Sequence, residues 1–427
     1  MIVSFKITNF RSYKSETVFT LEALPNTFLE QNVSTIKLDD GETLRLLNTA
    51  GIFGANASGK SNVIWALYTL SMMVRQSRDN DVRTPLTYIP FLLDSESKNN
   101  PTEFDIIFIT NGRKYRYVLE YKQIVQIERL SLYYEGKEEL VFQRTASSLI
   151  AGKGWGRLSS NLELADVASN QLLLSWMGVK VSNGMADAYE ALAYMEIEPV
   201  ADSINLKLNN ERVAASILKQ SDSKIFKQLS RLVTIADTGI HEIKMLEHKK
   251  DEIRIPGAPQ ELIDSIFEQN RWEFKTIHTY ASDNGLSTSV ELPLNLESTG
   301  TKNLFGVGSR ILSVLESGGT LVYDEMNVAL HSELFKFLVD LFNNPKANKK
   351  NAQLIFTTHD ATIARDGEMR ADQIWFAEKN AEGESELYSA QDFDDASINM
   401  PFEQWYRNGR FGALPKLGNV NSVFEGD

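Results

Sequence analysis

The spacing of hydrophobic residues at the start of the chain predicts β-strands. Residues 3–7 place apolar side chains at every second position, and a second alternating run covers residues 17–21 after a polar turn. Because successive side chains of a strand point to opposite faces, these runs predict a hairpin or a pair of strands. Two further runs, residues 104–109 and 115–121, flank Asn111-Gly112, a dipeptide typical of tight hairpin turns. The first third of the chain is therefore predicted to be rich in β-structure.

The pattern changes twice along the rest of the chain. From about residue 160 to 290 the apolar residues follow helical spacing, with a weaker strand signal. The last third alternates again, because buried-strand runs at 320–325, 353–358 and 373–377 are separated by helical patterns such as 330–341. Strands that alternate with helices are typical of a parallel sheet. An α/β fold with a mostly parallel core is therefore predicted.

Composition limits the classes of protein that fit. A chain of 427 residues is too long for one compact core, so two or three lobes are expected. It contains no cysteine, which excludes disulfides and thiolate metal sites, and no apolar run approaches the roughly 20 residues of a membrane-spanning helix. Since the N-terminus also lacks the features of a signal peptide, a cytoplasmic protein without a membrane partner is expected. The net charge of −13 argues against binding of nucleic acid by charge alone, although it does not exclude a local basic groove.

Residues 54–61, Gly-Ala-Asn-Ala-Ser-Gly-Lys-Ser, match the phosphate-binding pattern GxxxxGKS. The end of an apolar strand pattern precedes them and a helical pattern from Asn62 to Met73 follows, which is the setting that the motif needs. Glycines allow backbone N–H groups to surround phosphates, and the helix N-terminus adds positive potential. We expect Lys60 to reach the β- and γ-phosphates of ATP and Ser61 to bind Mg²⁺. The predicted nucleotide-binding residues of this segment are Gly54, Ala55, Asn56, Ala57, Ser58, Gly59, Lys60, Ser61 and Asn62.

Two segments downstream supply the other groups that hydrolysis of ATP needs, and their order disfavours a chance match at the glycine-rich loop. Asp324 ends an apolar strand, as a Mg²⁺-binding aspartate does, and the adjacent Glu325 is placed to polarise water. His359 follows a further strand that ends in Thr357-Thr358, where it would contact the γ-phosphate side. The alternative for Asp324 and Glu325 is a strand end that meets solvent, and the alternative for His359 is a loop histidine without a role. The predicted catalytic residues are Lys60, Glu325 and His359, and the predicted metal ligands are Ser61 and Asp324.

The chain resembles the AAA15-type ATPases, which are ABC/SMC-like proteins grouped with the Rad50-like and overcoming-lysogenization-defect (OLD) ATPases. The resemblance rests on residues 5–12, 54–61, 297–325 and 357–359, and the segment 406–415 is similar to the tail of that family. It implies an ABC-type P-loop ATPase head with a β-rich N-terminal lobe, and ATP and Mg²⁺ as its cofactors. It also implies that the chain pairs with itself as an ATP-sandwich homodimer, or as a higher oligomer.

In ABC-type ATPases a short Ser/Gly sequence at a helix N-terminus completes the nucleotide site of the opposite subunit. Ser298 and Gly300 lie at the matching place, so the resemblance implies that Lys60 of one copy faces them in the other. On local sequence alone, an ordinary helix N-cap turn fits equally well. The resemblance also implies that Asn9 and Arg11 lie near the nucleotide.

The domain organisation is predicted from the same patterns. Residues 1–155 are expected to form an ATPase lobe with the N-terminal strands and the phosphate loop. Residues 156–289 are expected to form a mainly helical insertion, and residues 290–427 a second ATPase lobe with the Ser/Gly sequence and the downstream carboxylates.

Three functions fit these residues. The first is an ATPase that switches a separately encoded nuclease or toxin effector, as the resemblance implies for bacterial anti-phage and abortive-infection systems. The second is a DNA-repair or DNA-processing ATPase of the SMC/Rad50 type, although sustained heptads are absent between residues 160 and 290. The third is an ATP-gated scaffold that holds a toxin or nuclease with little turnover. The same residues serve the first and third functions, so the sequence does not separate them.

Overall fold

The computed structural model describes residues 1–153, 167–180, 184–199, 214, 224–236, 238–250, 259–281, 287–365, 367–393, 401–415 and 419. The chain divides into two compact units. The first consists of Met1–Val200, Gly318–Met326 and Val339–Asp427, and the second of Ala201–Ser317 and Asn327–Leu338. Within the described ranges, no helix combines the length and the apolar character needed to cross a membrane.

The strands and helices have the following bounds. The strands, in chain order, are β1 Ile2–Thr8, β2 Thr17–Thr20, β3 Val33–Lys37, β4 Thr43–Leu47, β5 Thr49–Phe53, β6 Thr102–Thr110, β7 Arg113–Tyr121, β8 Val125–Tyr134, β9 Lys137–Thr145, β10 Leu149–Ala151, β11 Glu196–Glu198, β12 Glu242–Glu247, β13 Trp272–Ala281, β14 Ser287–Pro293, β15 Thr320–Tyr323, β16 Gln353–Thr357, β17 Ile374–Lys379 and β18 Ser385–Ser389. The helices are α1 Lys60–Gln76, α2 Leu173–Lys180, α3 Gly184–Ala193, α4 Lys224–Ile235, α5 Gln260–Asn270, α6 Thr299–Ser317, α7 Ser332–Asn343 and α8 Phe402–Arg407.

A seven-stranded antiparallel sheet, in the order β10-β9-β8-β7-β6-β1-β2, forms the β-rich part of the first unit. The predicted pairing of the first two strands is confirmed, as is the hairpin between β6 and β7. Its turn residues Asn111 and Gly112 have φ angles of 46° and 72°, the left-handed values that a tight hairpin turn requires. Apolar side chains of this sheet, such as Phe5 and Phe104, share one hydrophobic core with Leu67 of α1.

A six-stranded sheet, in the order β11-β15-β16-β5-β17-β18, completes the first unit. Its strands are parallel from β11 to β17, and only β18 runs antiparallel. The predicted mostly parallel core is therefore confirmed. Because β16 lies between β15 and β5, the loops that follow these three strands emerge side by side at the carboxyl edge of the sheet.

The second unit contains the antiparallel sheet β12-β13-β14 together with α4, α5 and α6. The expectation of a mainly helical insertion over residues 156–289 missed this sheet, although Trp272, Phe274 and Thr276 of β13 follow a period of two. Helices α2 and α3, which fall in the same predicted range, belong to the first unit. The predicted boundary at residues 155 and 156 lies outside the described residues, and the three domain ranges stay a prediction.

Candidate nucleotide-binding site

The loop of residues 54–59 joins the fully buried strand β5 to α1 and has no room for side chains at its two ends. Gly54 has a φ angle of 151°, and a Cβ atom there would lie 2.4 Å from the carbonyl oxygen of Ala377. Gly59 has a φ angle of 114°, and its Cβ atom would lie 2.3 Å from Ser385 Oγ. These positive angles and close approaches explain why the pattern needs glycine at both positions. The resulting curve is the shape in which backbone N–H groups can surround a phosphate.

Lys60, the first residue of α1, folds back over this loop. Its Nζ atom donates hydrogen bonds to the carbonyl oxygens of Gly54 and Ala55, each at 2.8 Å. Burial lowers the pKa of Lys60 from its ordinary value, while the carboxylates of Glu325 and Asp324 act in the opposite direction. A buried ammonium group that is bonded only to carbonyl oxygens would gain strongly from an anionic ligand.

The hydroxyl of Ser61 meets the carboxylate that follows β15. Ser61 Oγ donates to Asp324 Oδ1 at 3.1 Å, and Asp324 is buried. Two neighbouring ligand oxygens of an octahedral Mg²⁺ ion lie about 3 Å apart, because each is about 2.1 Å from the metal. The hydroxyl and the carboxylate therefore fit Mg²⁺ as adjacent ligands. The described residues contain no cluster of three His, Asp or Glu side chains that could hold a metal without further ligands, so phosphate or water oxygens would have to complete the coordination.

Thr357, at the end of β16, connects the two predicted carboxylates. Its hydroxyl donates to Asp324 Oδ1 and accepts the backbone N–H of Glu325 at 2.8 Å. In the sequence, Thr357 stands only as part of the strand before His359, and no role is expected of it. The one local signal was a polar residue at the end of an apolar strand.

Glu325 and His359 are positioned by these neighbouring strand ends. Glu325 is partly exposed and has a φ angle of 48°, a left-handed conformation that is rare for a residue with a side chain. His359 is exposed and follows the buried Thr358. The next residue, Asp360, caps a short 3-10 turn by accepting the N–H of Thr362 at 3.0 Å. The catalytic roles of Glu325 and His359 stay predictions.

Arg11 lies beside the first turns of α1. Its guanidinium group is 4.5 Å from the ring centre of Trp65, and its Nη1 atom is 3.4 Å from Asn62 Oδ1. Asn62 in turn donates to Ser12 Oγ at 2.6 Å. Burial lowers the pKa of Arg11 from its ordinary value. Arg11 and Asn62 thus lie together at the start of α1, and their contact with a nucleotide stays a prediction.

The side chain of Asn9 has a structural role. Asn9 Nδ2 donates to the carbonyl oxygens of Ser97 and Asn100, each at 2.8 Å, and Asn9 Oδ1 accepts the N–H of Phe91 at 3.0 Å. These bonds hold the loop that precedes β6. They give no support to the nucleotide contact that the resemblance implies for this residue.

Tyr13 and Ser385, which the sequence did not identify as site residues, form hydrogen bonds to the phosphate loop. Tyr13 donates its hydroxyl to the carbonyl oxygen of Gly59 at 3.2 Å, and burial raises its pKa, so the group remains a donor. Ser385 Oγ lies 2.7 Å from both the carbonyl oxygen of Ser58 and Ser12 Oγ. No motif marks these contacts, since Ser385 stands more than 300 residues from the loop.

Ser298 and Gly300 belong to the second unit. Ser298 Oγ accepts the N–H of Thr301 at 3.1 Å, so Ser298 is the N-cap of α6, which is the local alternative that the sequence left open. The preceding residue, Glu297, accepts hydrogen bonds from the Thr276 hydroxyl and from His278 Nε2, the latter at 2.7 Å. An N-cap serine leaves further N–H groups of the first helical turn available to an anion. The contact of these residues with a second copy stays a prediction.

Comparison with known proteins identifies one family. Its model, described as "AAA domain, putative AbiEii toxin, Type IV TA system", matches residues 50–365. No curated protein sequence matches the chain.

Two solved structures of SMC head domains are loosely similar to the chain. The SMC head domain from Thermotoga maritima is 13% identical, with 91% of this chain and 98% of that chain covered and a TM-score of 0.41. The Smc head domain with an extended coiled coil, bound to the C-terminal domain of ScpA from Pyrococcus furiosus, is 12% identical, with 96% and 98% covered and a TM-score of 0.40. The fold assignment rests on the strand order of the chain itself.

Proposed function

The chain belongs to the AbiEii-type AAA domain family, and on this premise we propose that it binds ATP and hydrolyses it in a Mg²⁺-dependent reaction. The observation that carries the proposal is the hydrogen bond between Ser61, which follows the phosphate loop, and Asp324, which follows β15. It joins a phosphate-binding loop to a carboxylate that fits Mg²⁺, with the ammonium of Lys60 and the carboxylate of Glu325 close by.

The residues of the first unit have distinct tasks in this reaction. Backbone N–H groups of residues 54–61 bind the phosphates, and Lys60 exchanges its two carbonyl partners for β- and γ-phosphate oxygens. Ser61 and Asp324 hold Mg²⁺, which when bound neutralises the charge that develops on those oxygens. Glu325 orients the attacking water and accepts its proton. His359 contacts the γ-phosphate side, and Arg11 supports the nucleotide from beside α1.

The proposed site is completed by a second copy of the chain. Ser298 and Gly300 would offer the N-terminal amides of α6 to the γ-phosphate bound by the other copy. Two exposed apolar side chains near this turn, Leu296 and Val328, support an interface there. Val328 is connected to α6 through its carbonyl oxygen, which accepts a hydrogen bond from Asn303 at 2.7 Å.

The partner of this ATPase is proposed to be a separately encoded nuclease or toxin in the cytoplasm. The family description, which names a putative toxin of a type IV toxin–antitoxin system, supports a role in such a system, and the separate effector rests on the resemblance to stand-alone ATPases. Formation and separation of the ATP-bound dimer would then switch the effector, in an anti-phage or abortive-infection role.

Phosphate release from ATP tests the proposal directly. The wild type should hydrolyse ATP only with Mg²⁺, and Glu325→Gln should turn over roughly 10²–10⁴-fold more slowly because the general base is lost. Glu325→Gln should still bind ATP, and light scattering should show its ATP-dependent dimer. Glu22→Gln makes the same chemical change at an exposed position and serves as the matched control. Absence of Mg²⁺-dependent hydrolysis in the wild type, alone and with a partner encoded beside it, would refute the proposal.

A further inference from the structure

The hydroxyl of Thr357 occupies the junction between the phosphate loop and the predicted carboxylates. Thr357 pairs with Ile52 of β5 in the parallel sheet, and the preceding Phe356 pairs with Tyr323 of β15. The side chain of Thr357 is fully buried. It therefore lies at the carboxyl end of β16, the strand between β15 and β5.

This hydroxyl makes two hydrogen bonds of opposite sense. It donates to Asp324 Oδ1, the oxygen that also accepts from Ser61, and it accepts the backbone N–H of Glu325 at 2.8 Å. A hydroxyl has one donor and two acceptor positions, so only Ser or Thr can make both bonds with a short side chain. A methyl group in its place would leave the Glu325 N–H without this partner.

The backbone of Thr357 adds a third contact to the same segment. Its carbonyl oxygen accepts the N–H of Met326 at 3.3 Å. Glu325 is thus held on both sides, by the hydroxyl and by the carbonyl of one residue, in a left-handed conformation with a φ angle of 48°. Such a conformation is unfavourable for a residue with a side chain and persists only where the surroundings hold it.

We propose that Thr357 is a positioning residue for ATP hydrolysis, whose hydroxyl orients Asp324 toward Mg²⁺ and fixes the backbone from which the Glu325 side chain extends. The inference rests on the proposed function. One hydroxyl then couples the metal ligand to the general base, while the phosphate loop has its own supports in Tyr13 and Ser385. Loss of the hydroxyl should therefore weaken metal binding and lower kcat without weakening the binding of metal-free ATP.

Thr357→Val tests this because it replaces the hydroxyl by a methyl group of nearly the same size. Its Mn²⁺ dissociation constant, measured by electron paramagnetic resonance with ATP present, should rise about 10–100-fold, and kcat should fall by a similar factor, as is typical for groups that orient a metal ligand. Binding of a fluorescent ATP analogue without metal should stay unchanged. Thr357→Ser keeps the hydroxyl and should restore both readings. If Thr357→Val does not fold, Thr357→Ala removes the hydroxyl together with the γ-methyl group, differs from Thr357→Ser by the hydroxyl alone, and should give the same losses.

Thr320→Val is the matched control, since Thr320 is buried at the end of β15 away from Asp324 and its hydroxyl makes a 3.4 Å hydrogen bond to Gln353. It should leave metal affinity and kcat unchanged. Wild-type values for Thr357→Val in both readings would overturn the inference, as would equal losses in Thr357→Ser and Thr357→Val. A wild type without turnover would instead refute the proposed function, so the two failures are distinguishable.

Discussion

Alanine in place of Gly54 is expected to disrupt nucleotide binding by pushing the phosphate loop away from the sheet. The new Cβ atom would lie 2.4 Å from the carbonyl oxygen of Ala377 and 2.8 Å from Ser58 Oγ. Ala377 belongs to β17, which pairs with β18 on one side and with β5 on the other, so its backbone cannot easily move. The loop itself must therefore shift by roughly half an ångström or more, and its phosphate-binding amides shift with it.

The energetic cost has two parts that a second variant separates. The φ angle of 151° at Gly54 costs a residue with a side chain about 1–3 kcal/mol, and the collision adds about 1–3 kcal/mol of overpacking. Gly41 also has a positive φ angle, 90°, but nothing lies within 4 Å of a Cβ atom built there. Gly41→Ala should therefore show only the conformational part, about 1–2 kcal/mol.

Urea unfolding and titration with a fluorescent ATP analogue measure the two effects. Gly54→Ala should lose more free energy of unfolding than Gly41→Ala by about 1–3 kcal/mol, and its ATP affinity should fall at least about tenfold, the factor that 1.4 kcal/mol represents. Gly41→Ala should bind ATP like the wild type. Equal unfolding midpoints for the two variants, together with wild-type ATP binding by Gly54→Ala, would refute the idea that contact with β17 sets the shape of the loop.

Two further substitutions test other contacts. The buried carboxylate of Glu128 accepts the N–H groups of Leu173 and Leu174 at 2.7 and 2.9 Å. Because Glu128→Ala leaves both donors without this partner, it should lower the free energy of unfolding by about 2–6 kcal/mol. An unchanged urea midpoint would contradict this prediction. His278→Ala removes a donor to Glu297 beside the N-cap of α6. Light scattering should therefore show weaker ATP-dependent dimerisation, while ATP binding by single subunits stays unchanged. His278→Gln keeps a donor and should restore dimerisation. Identical dimerisation of both His278 variants would count against this role.

The elements that the sequence predicts well are those whose signals are local. The turn at Asn111-Gly112 needs left-handed angles at both residues, and few other dipeptides tolerate them. The phosphate loop is similar, because the collisions at Gly54 and Gly59 dictate glycine at fixed spacing. Residues 353–357, which are apolar from Leu354 to Phe356, are buried on both faces, which is the pattern of a central parallel strand.

The contacts that the sequence could not predict join residues far apart in the chain. In the sequence, Thr357 has the pattern of an ordinary strand residue. Only the sheet order places it between Asp324 and the phosphate loop. The sheet β12-β13-β14 was missed for another reason. Its edge strand β14 is largely exposed, so it lacks the apolar face that reveals a strand, and helical patterns surround it.

The hydroxyl contacts of Ser385 have a consequence for how the protein matures. The loop of residues 54–59 is braced by Tyr13, which precedes it, and by Ser385, which is synthesised much later. A nascent chain still lacking β18 on the ribosome carries the complete glycine-rich motif but not the support that shapes it. We expect such a chain to bind ATP weakly, so that nucleotide becomes available to the protein as a stabilising ligand only after β18 has been synthesised.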